Sequence, residues 1–319
     1  MAGQQDLFWA VDIGGTKVEV GIGDRAGHWL TTRRVPTGDL GAGPEIVGRL
    51  ADVLRDEARR AGGVKPRAVG LGCPGPLDVA AGIIRTPANL PDWKDIPIVK
   101  GLSDALSVPA FLDNDATAAG LGEWRFGAGR GFDDVVYITV STGIGAGMVS
   151  GGRVVEGTTA NAGELGHVTA VVQDGVPCHC GRRGCLETLA SGTAIGRIGE
   201  ERRASSPLLA NHPGRVDAAA VFEAAAANDP VASHIVDEAT TWLAWGVGLM
   251  VNLYNPARIV FGGGVAIANG ERLLAPIREK APGYTFGDLL AAASIVGAAL
   301  GDRTGVAGAL AVALEHVPA

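Results

Sequence analysis

The chain has 319 residues, 34 acidic against 27 basic side chains and a formal net charge of −7. Apolar residues make up 47% and charged residues 19%, which excludes a disordered chain; the length suits two packed lobes better than one. The negative charge argues against non-specific binding to nucleic acid or to an anionic membrane, so a small ligand or a protein partner is expected.

In chain order, "LFWAVDIGGTKVEVGIGDRAGHWL" reads as strand, glycine turn, strand and a second turn at "DRAG". Val18, Val20 and Ile22 alternate with Glu19, Gly21 and Gly23, a period of two. "PEIVGRLADVLRDEARRAG" places Ile46, Val47, Leu50, Val53, Leu54 and Ala58 at helical spacing. "RAVGLGCPGPLD" is a buried strand entering a Pro/Gly loop, "GLSDALS" a short helix, and "PAFLDNDATAAGLGEW" a strand that becomes a helix after Asp115. "DDVVYITVSTGIGAGMVSGGRVVEG" then repeats the opening pattern of strand, glycine turn, strand, turn and strand. Loops rich in Gly, His and Cys fill 157–186, and helical patterns occupy about 189–204 and 217–255. "PARIVFGGGVA" is another buried strand, and "TGVAGALAVALEHV" an alanine-rich closing helix. No low-complexity linker interrupts the chain, so the lobes are expected to share a cleft.

The start, "MAGQQDLFWAVD", has neither the basic run nor the long apolar stretch of a secretory signal. "WLAWGVGLMVNLY" (242–254) is too short to span a bilayer and reads as a buried helix. Of the four cysteines, Cys73 stands alone in an apolar strand, an inert buried thiol, while Cys178, Cys180 and Cys185 are bunched. Such bunching points to a metal site in a reducing compartment, hence the cytoplasm.

The two glycine turns, "VDIGGTK" (11–17) and "VSTGIGAG" (140–147), pose the central question. A P-loop requires GxxxxGK[ST] before a helix, and a dinucleotide fingerprint requires a helix straight after its glycines. Here the next element is β-patterned in both cases. What remains is a hairpin turn whose bare N–H groups face a polyanion. Two such turns, one per lobe, would clamp a triphosphate from both sides.

"DIGGTK", "GCPGPLD", "DNDATAAGLGE", "STGIGAG", "NAGELGH" and "CHCGRRGCLE" occur in the order and spacing of the ROK (repressor, open reading frame, kinase) family, over roughly residues 6–315. The chain resembles its sugar-kinase branch. The resemblance implies an actin-like, hexokinase-type (ribonuclease H-like) ATPase fold, two α/β lobes around a cleft. Residues 1–118 would form the first lobe, joined by a returning helix at about 303–319, and 119–302 the second. The implied activity is ATP- and Mg²⁺-dependent phosphorylation of a hexose at its 6-hydroxyl, glucose first, in a homodimer. N-acetylmannosamine, kanosamine or another amino sugar, and fructose are alternative acceptors, and polyphosphate an alternative donor. A non-catalytic sugar sensor or a DNA-binding repressor is a reading of another class. Only eleven residues precede Asp12, too few for a helix-turn-helix domain, so no nucleic-acid partner is expected.

Asp115 sits where an apolar strand gives way to a helix, the edge at which open α/β sheets place their sites. The resemblance makes it the base that takes the sugar proton; a helix cap is the plain alternative. Asp113 reads as a solvated neighbour. Asp12, by resemblance, acts with Mg²⁺ through water, or simply starts a turn. Gly14, Gly15, Thr16, Thr142 and Gly143 would hold phosphates, with Lys17 adding charge. Gly262 and Gly263 approach the nucleoside by resemblance. The family pattern maps sugar contacts onto Asn89, Asn114, Asp115, Glu164, His167 and Glu187, with helix capping as the alternative for Glu187.

Cys178, Cys180 and Cys185 form a CxCGxxGC knuckle, and His167 would complete a Cys₃His tetrahedron, the pattern of a structural zinc site. His179 could replace His167 but is expected to point outward. Thr117, where asparagine is frequent, and Leu112–Asp113, in place of a glutamate-bearing entry, depart from the family's commonest form.

Overall fold

The structure, a computed structural model, describes residues 6–87 and 89–318. β1 (Leu7–Ile13) and β2 (Lys17–Asp24) form an antiparallel hairpin around the first glycine turn, and β3 (Trp29–Pro36) continues it. The "DRAG" turn is held by Asp24, whose Oδ1 accepts the N–H groups of Ala26 and His28, each at 2.9 Å. α1 (Glu45–Arg60) buries Ile46, Leu50, Leu54 and Ala58 on one face. β4 (Val69–Cys73), a small hairpin of β5 (Leu77–Asp78) and β6 (Ile83–Ile84), α2 (Ile98–Leu106), β7 (Ala110–Asn114) and α3 (Asp115–Phe126) follow. The first sheet runs β3-β2-β1-β4-β7, antiparallel through the hairpins and parallel across β1, β4 and β7.

A second unit repeats this plan. β8 (Val135–Val140), β9 (Ile144–Ser150) and β10 (Arg153–Val154) are antiparallel. After the His/Cys loop come α4 (Glu187–Ala190), α5 (Gly192–Glu201), α6 (Ala218–Ala226), α7 (Pro230–Tyr254), β11 (Arg258–Gly262), α8 (Gly264–Asn269), α9 (Glu271–Lys280) and β12 (Ser294–Gly297). The sheet order is β10-β9-β8-β11-β12, again with three parallel strands at one end. The internal repeat read from the sequence is therefore a repeat of topology.

Two helical stretches are broken where continuous patterns were expected. Over 189–204 the chain forms α4 and α5, because Ser191 is extended and its hydroxyl accepts the Ala194 N–H at 3.1 Å as an N-cap. Over 217–255 it forms α6 and α7, divided at Asn228 and Asp229. Asp229 Oδ1 accepts the N–H groups of Val231 (3.0 Å) and Ala232 (2.9 Å), with Pro230 opening the helix. Both breaks come from short polar side chains competing for backbone groups.

α10 (Thr304–His316) closes the chain. Its Val306, Ala309, Leu310 and Ala313 pack with Phe8, Ala10 and Ala68, so it returns to the first sheet. α3 runs through position 118, where the sequence reading sets the lobe boundary, and packs against elements of both sheets and against α10. Small residues permit that last crossing: a Cβ on Gly122 would lie 2.7 Å from the Gly308 nitrogen. Among the described residues no helix is long and apolar enough to cross a membrane; α7 instead buries Leu243, Val247 and Val251 in the second core.

Candidate active site

Both glycine turns lie at the ends of corresponding strands. In the first, Gly14 N–H donates to Lys17 O (3.0 Å), and the Thr37 hydroxyl donates to Gly14 O (2.7 Å). Thr16 and Lys17 stay exposed, as does Asn89, whose carbonyl oxygen would lie 2.9 Å from a Cβ on Gly15. In the second, Ser141 N–H donates to Gly143 O (2.9 Å), and Gly192 N–H donates to Ser141 O (2.8 Å). Gly262 is paired with Thr139 of β8, and Gly263 follows with φ +84°, a left-handed conformation that suits glycine. The structure thus brings Thr142–Gly143 and Gly262–Gly263 to adjacent strand ends.

Asp115 is the first residue of α3, and the cap is its neighbour. Asn114 is extended, and its Oδ1 accepts the Ala116 N–H at 2.9 Å. The Asp115 side chain is open to solvent on one side and deep within protein on the others. That depth raises its pKa above the ordinary carboxylate range; the nearby charge of Glu164 pushes the same way, and the Ala116 N–H, 2.8 Å from Oδ1, opposes both. Asp12 is similarly pushed up to about 7, first by burial and then by the negative charges of Asp115 and Glu19, against Lys17 and Arg34. Asp115 therefore stands within electrostatic reach of Asp12 in the first unit and Glu164 in the second. Asp113, expected as a solvated neighbour, is half-buried with its carboxyl pushed up to about 7 by burial and by Glu156.

The bunched cysteines meet His167. Cys178 Sγ is 3.6 Å from His167 Nδ1, Cys180 Sγ is 3.7 Å from Cys185 Sγ, and all four donor atoms lie within 4.8 Å of one another. Zinc with bonds of about 2.3 Å to sulfur and about 2.0–2.1 Å to nitrogen requires neighbouring donors roughly 3.5–3.8 Å apart. The set fits a tetrahedral zinc. His167 turns its other nitrogen toward Glu164, with Nε2 3.9 Å from Oε2. His179 is exposed, outside the four-donor set, and its Nδ1 is 3.1 Å from Glu187 Oε1 and 3.9 Å from Cys178 Sγ. Chain direction after the knuckle brings the carboxylate back over that histidine.

Glu187 opens α4 without capping it. Its Oε2 accepts the Ile144 N–H at 3.0 Å and sits where a Cβ on Gly143 would collide with it. One carboxylate thus joins the cysteine knuckle to the second glycine turn.

Three residues at the site escaped the sequence reading. Thr37 props the first turn, and Gly305 of α10 abuts Asp12, where any Cβ would strike the carboxylate. Glu123, wholly buried in α3, is the third. Only Glu123 left a trace in the sequence, as a lone carboxylate in the small and apolar run "ATAAGLGEW".

Twin sheets of one topology, a glycine turn on each and a carboxylate at a strand-to-helix edge between them define the fold class: actin-like, hexokinase-type, two α/β lobes around a cleft. The ROK family model matches residues 8–316. The chain is 36% identical over 310 residues, 94% of its length and 93% of the relative's, to a protein named glucokinase from Halalkalibacterium halodurans. It aligns with the crystal structure of a ROK hexokinase from Thermus thermophilus at 37% identity and a TM-score of 0.84, covering 96% of this chain and 97% of that one. A ROK family glucokinase from Streptomyces griseus, solved in complex with glucose and AMPPNP, aligns at 34% identity and a TM-score of 0.80, covering 96% and 99%. The protein belongs to the ROK family.

Proposed function

We propose that this kinase transfers the terminal phosphoryl group of ATP to the 6-hydroxyl of glucose. The observation that carries the reading is the position of Asp115, exposed as the first residue of α3 at the strand-to-helix edge, with the cap supplied by Asn114 so that its own carboxylate is not the cap. Asp115 accepts the hydroxyl proton as the sugar oxygen attacks phosphorus; the new O–P bond forms while the bond to the ADP oxygen breaks. General-base assistance of this kind is worth about 10²–10⁴-fold. Gly14, Gly15, Thr16 and Lys17 hold the phosphates from one side, and Thr142 and Gly143 from the other. Gly262 and Gly263 leave room for the nucleoside. Fixed N–H donors offset the charge on the transferring group without reorganising.

Asn89, Asn114, Glu164, His167 and Glu187 bind the sugar hydroxyls. Asp12 would hold Mg²⁺ through water, and the ion when bound offsets phosphate charge. His167, Cys178, Cys180 and Cys185 would hold zinc, which braces the loop bearing Glu164, His167 and Glu187. The lobes are 1–118 with the last helix, and 119–302; a cytoplasmic homodimer is part of the same reading. The named relative and the glucose complex support glucose as acceptor.

A panel of glucose, fructose, N-acetylmannosamine and kanosamine, each with ATP or polyphosphate, tests this. Glucose with ATP should give the highest kcat/KM, with the product identified as the 6-phosphate by ³¹P NMR. A preferred amino sugar would change the substrate, and no turnover with any sugar would overturn the proposal.

A further inference from the structure

We propose that Glu123 is a positioning residue of the transfer reaction: one buried carboxylate ties together both passages of the chain between the two sheets and thereby sets Asp115 against Asp12. The chain passes from the first sheet to the second through 127–134, between α3 and β8, and returns through 298–303, between β12 and α10. Glu123 holds both. Its Oε2 accepts the N–H of Ala128 in the first crossing at 2.8 Å and of Ala299 in the second at 3.0 Å. Its Oε1 accepts the Leu300 N–H at 2.9 Å, with the Thr304 hydroxyl 3.3 Å away. The residue has 0% exposure, and its hydrogen-bond donors are all uncharged groups. The carboxylate is met by three backbone N–H groups and one hydroxyl, with no cationic side chain among these partners.

Such an arrangement specifies geometry. A carboxylate is acceptor-only and can take all three N–H groups, whereas an amide would point its own N–H at one of the two pairs. Charge-assisted bonds to backbone N–H are shorter and stronger than neutral ones, so they hold the crossings at defined distances. From this point rigid elements run to the chemistry in two directions. α3 leads back about two helical turns to Asp115, its first residue. α10 starts at Thr304, and Gly305 abuts the Asp12 carboxylate. A shift at Glu123 therefore moves the supports of both aspartates. Misplacing reacting groups by about 1 Å can cost on the order of 10²-fold in rate.

The inference rests on the kinase reading, so the wild-type protein is assayed first; absence of sugar-kinase activity there would sink that reading. Glu123→Gln removes one pair of acceptor bonds. Gly127→Ala reaches the same point independently, because its Cβ would collide with Glu123 Oε2. Glu123→Asp withdraws the charge by one methylene and is the mildest of the three. For each, kcat is expressed per folded molecule, counted by circular dichroism, and ADP released is compared with sugar phosphate formed. The expected result is a fall in kcat of about 10–100-fold, with ADP exceeding sugar phosphate because water reaches a phosphoryl group whose acceptor is misaligned. Hydrogen exchange at Ala128, Ala299 and Leu300 should speed up together while the cysteine loop is unchanged. A folded variant with unchanged kcat and equal ADP and sugar phosphate, whatever its melting temperature, would overturn the proposal and leave Glu123 a structural residue only.

Discussion

The two lobes share strand order and pairing but carry different chemistry. The first turn stands beside Asp12, whose carboxyl is pushed up to about 7, and the same lobe supplies Asp115, raised by depth in the protein. The second turn is backed by Glu187, whose oxygens are engaged by the Ile144 N–H and His179, and behind it lies the cysteine knuckle. A repeated backbone supplies two equivalent glycine turns by topology alone. In the proposed function side chains then divide the labour: proton and cation chemistry in the first lobe, fixed support for a sugar in the second.

The sharpest division should come from Asp115→Asn, which removes the proposed base from the first lobe. Turnover in a coupled assay should fall by at least about 10²–10⁴-fold, while glucose affinity by calorimetry stays within severalfold; near-normal turnover would erase the division. Disrupting the second lobe with Cys185→Ser should lower bound zinc by mass spectrometry and raise the KM for glucose about 10–100-fold. The KM for ATP should change little, and an equal rise in both constants would deny the second lobe its separate role.

Gly143→Ala and Gly14→Ala compare the turns directly. The added methyl at 143 meets the Glu187 carboxylate, and that at 14 meets the Lys17 carbonyl oxygen at 2.9 Å. Overpacking of a tight site costs about 1–3 kcal/mol, so Gly143→Ala should cut kcat/KM for glucose about tenfold or more. Gly14→Ala should act less strongly and on the KM for ATP.

The smallest effect is on stability against pH. The folded-state pKa of Asp12 is raised, so between 3.8 and about 7 the folded chain keeps a proton that the unfolded chain has released. Its contribution to stability is full below that window and is lost as pH rises through it. The melting temperature of the ligand-free protein should show that decline, and Asp12→Asn should make it shallower, leaving the part due to Asp113 and Asp115; an unchanged slope would remove the electrostatic contrast between the lobes.

Much of this was legible in the chain because the signals are local. A glycine turn followed by alternating apolar residues is a hairpin wherever it occurs, and the CxCGxxGC spacing with its glycines limits how three thiols can meet. The breaks at Ser191 and Asp229 were missed because apolar periodicity runs through them, while capping depends on one side chain's choice of partner. Asp113 looked solvated because its burial is imposed by neighbours distant in sequence. The His179–Glu187 contact follows from the path of the knuckle, and a local pattern does not contain that path.

By itself the sequence determined the glycine hairpins, the main strands and helices, the duplicated plan and the resemblance to the family, since each is carried by residue order over short windows. Only the tertiary structure decided that Asn114 rather than Asp115 caps α3, that Glu187 links the knuckle to the second turn, and that Glu123 gathers both passages between the sheets. Those assignments depend on groups separated along the chain competing for the same donors, and such competition is resolved only when the chain is folded.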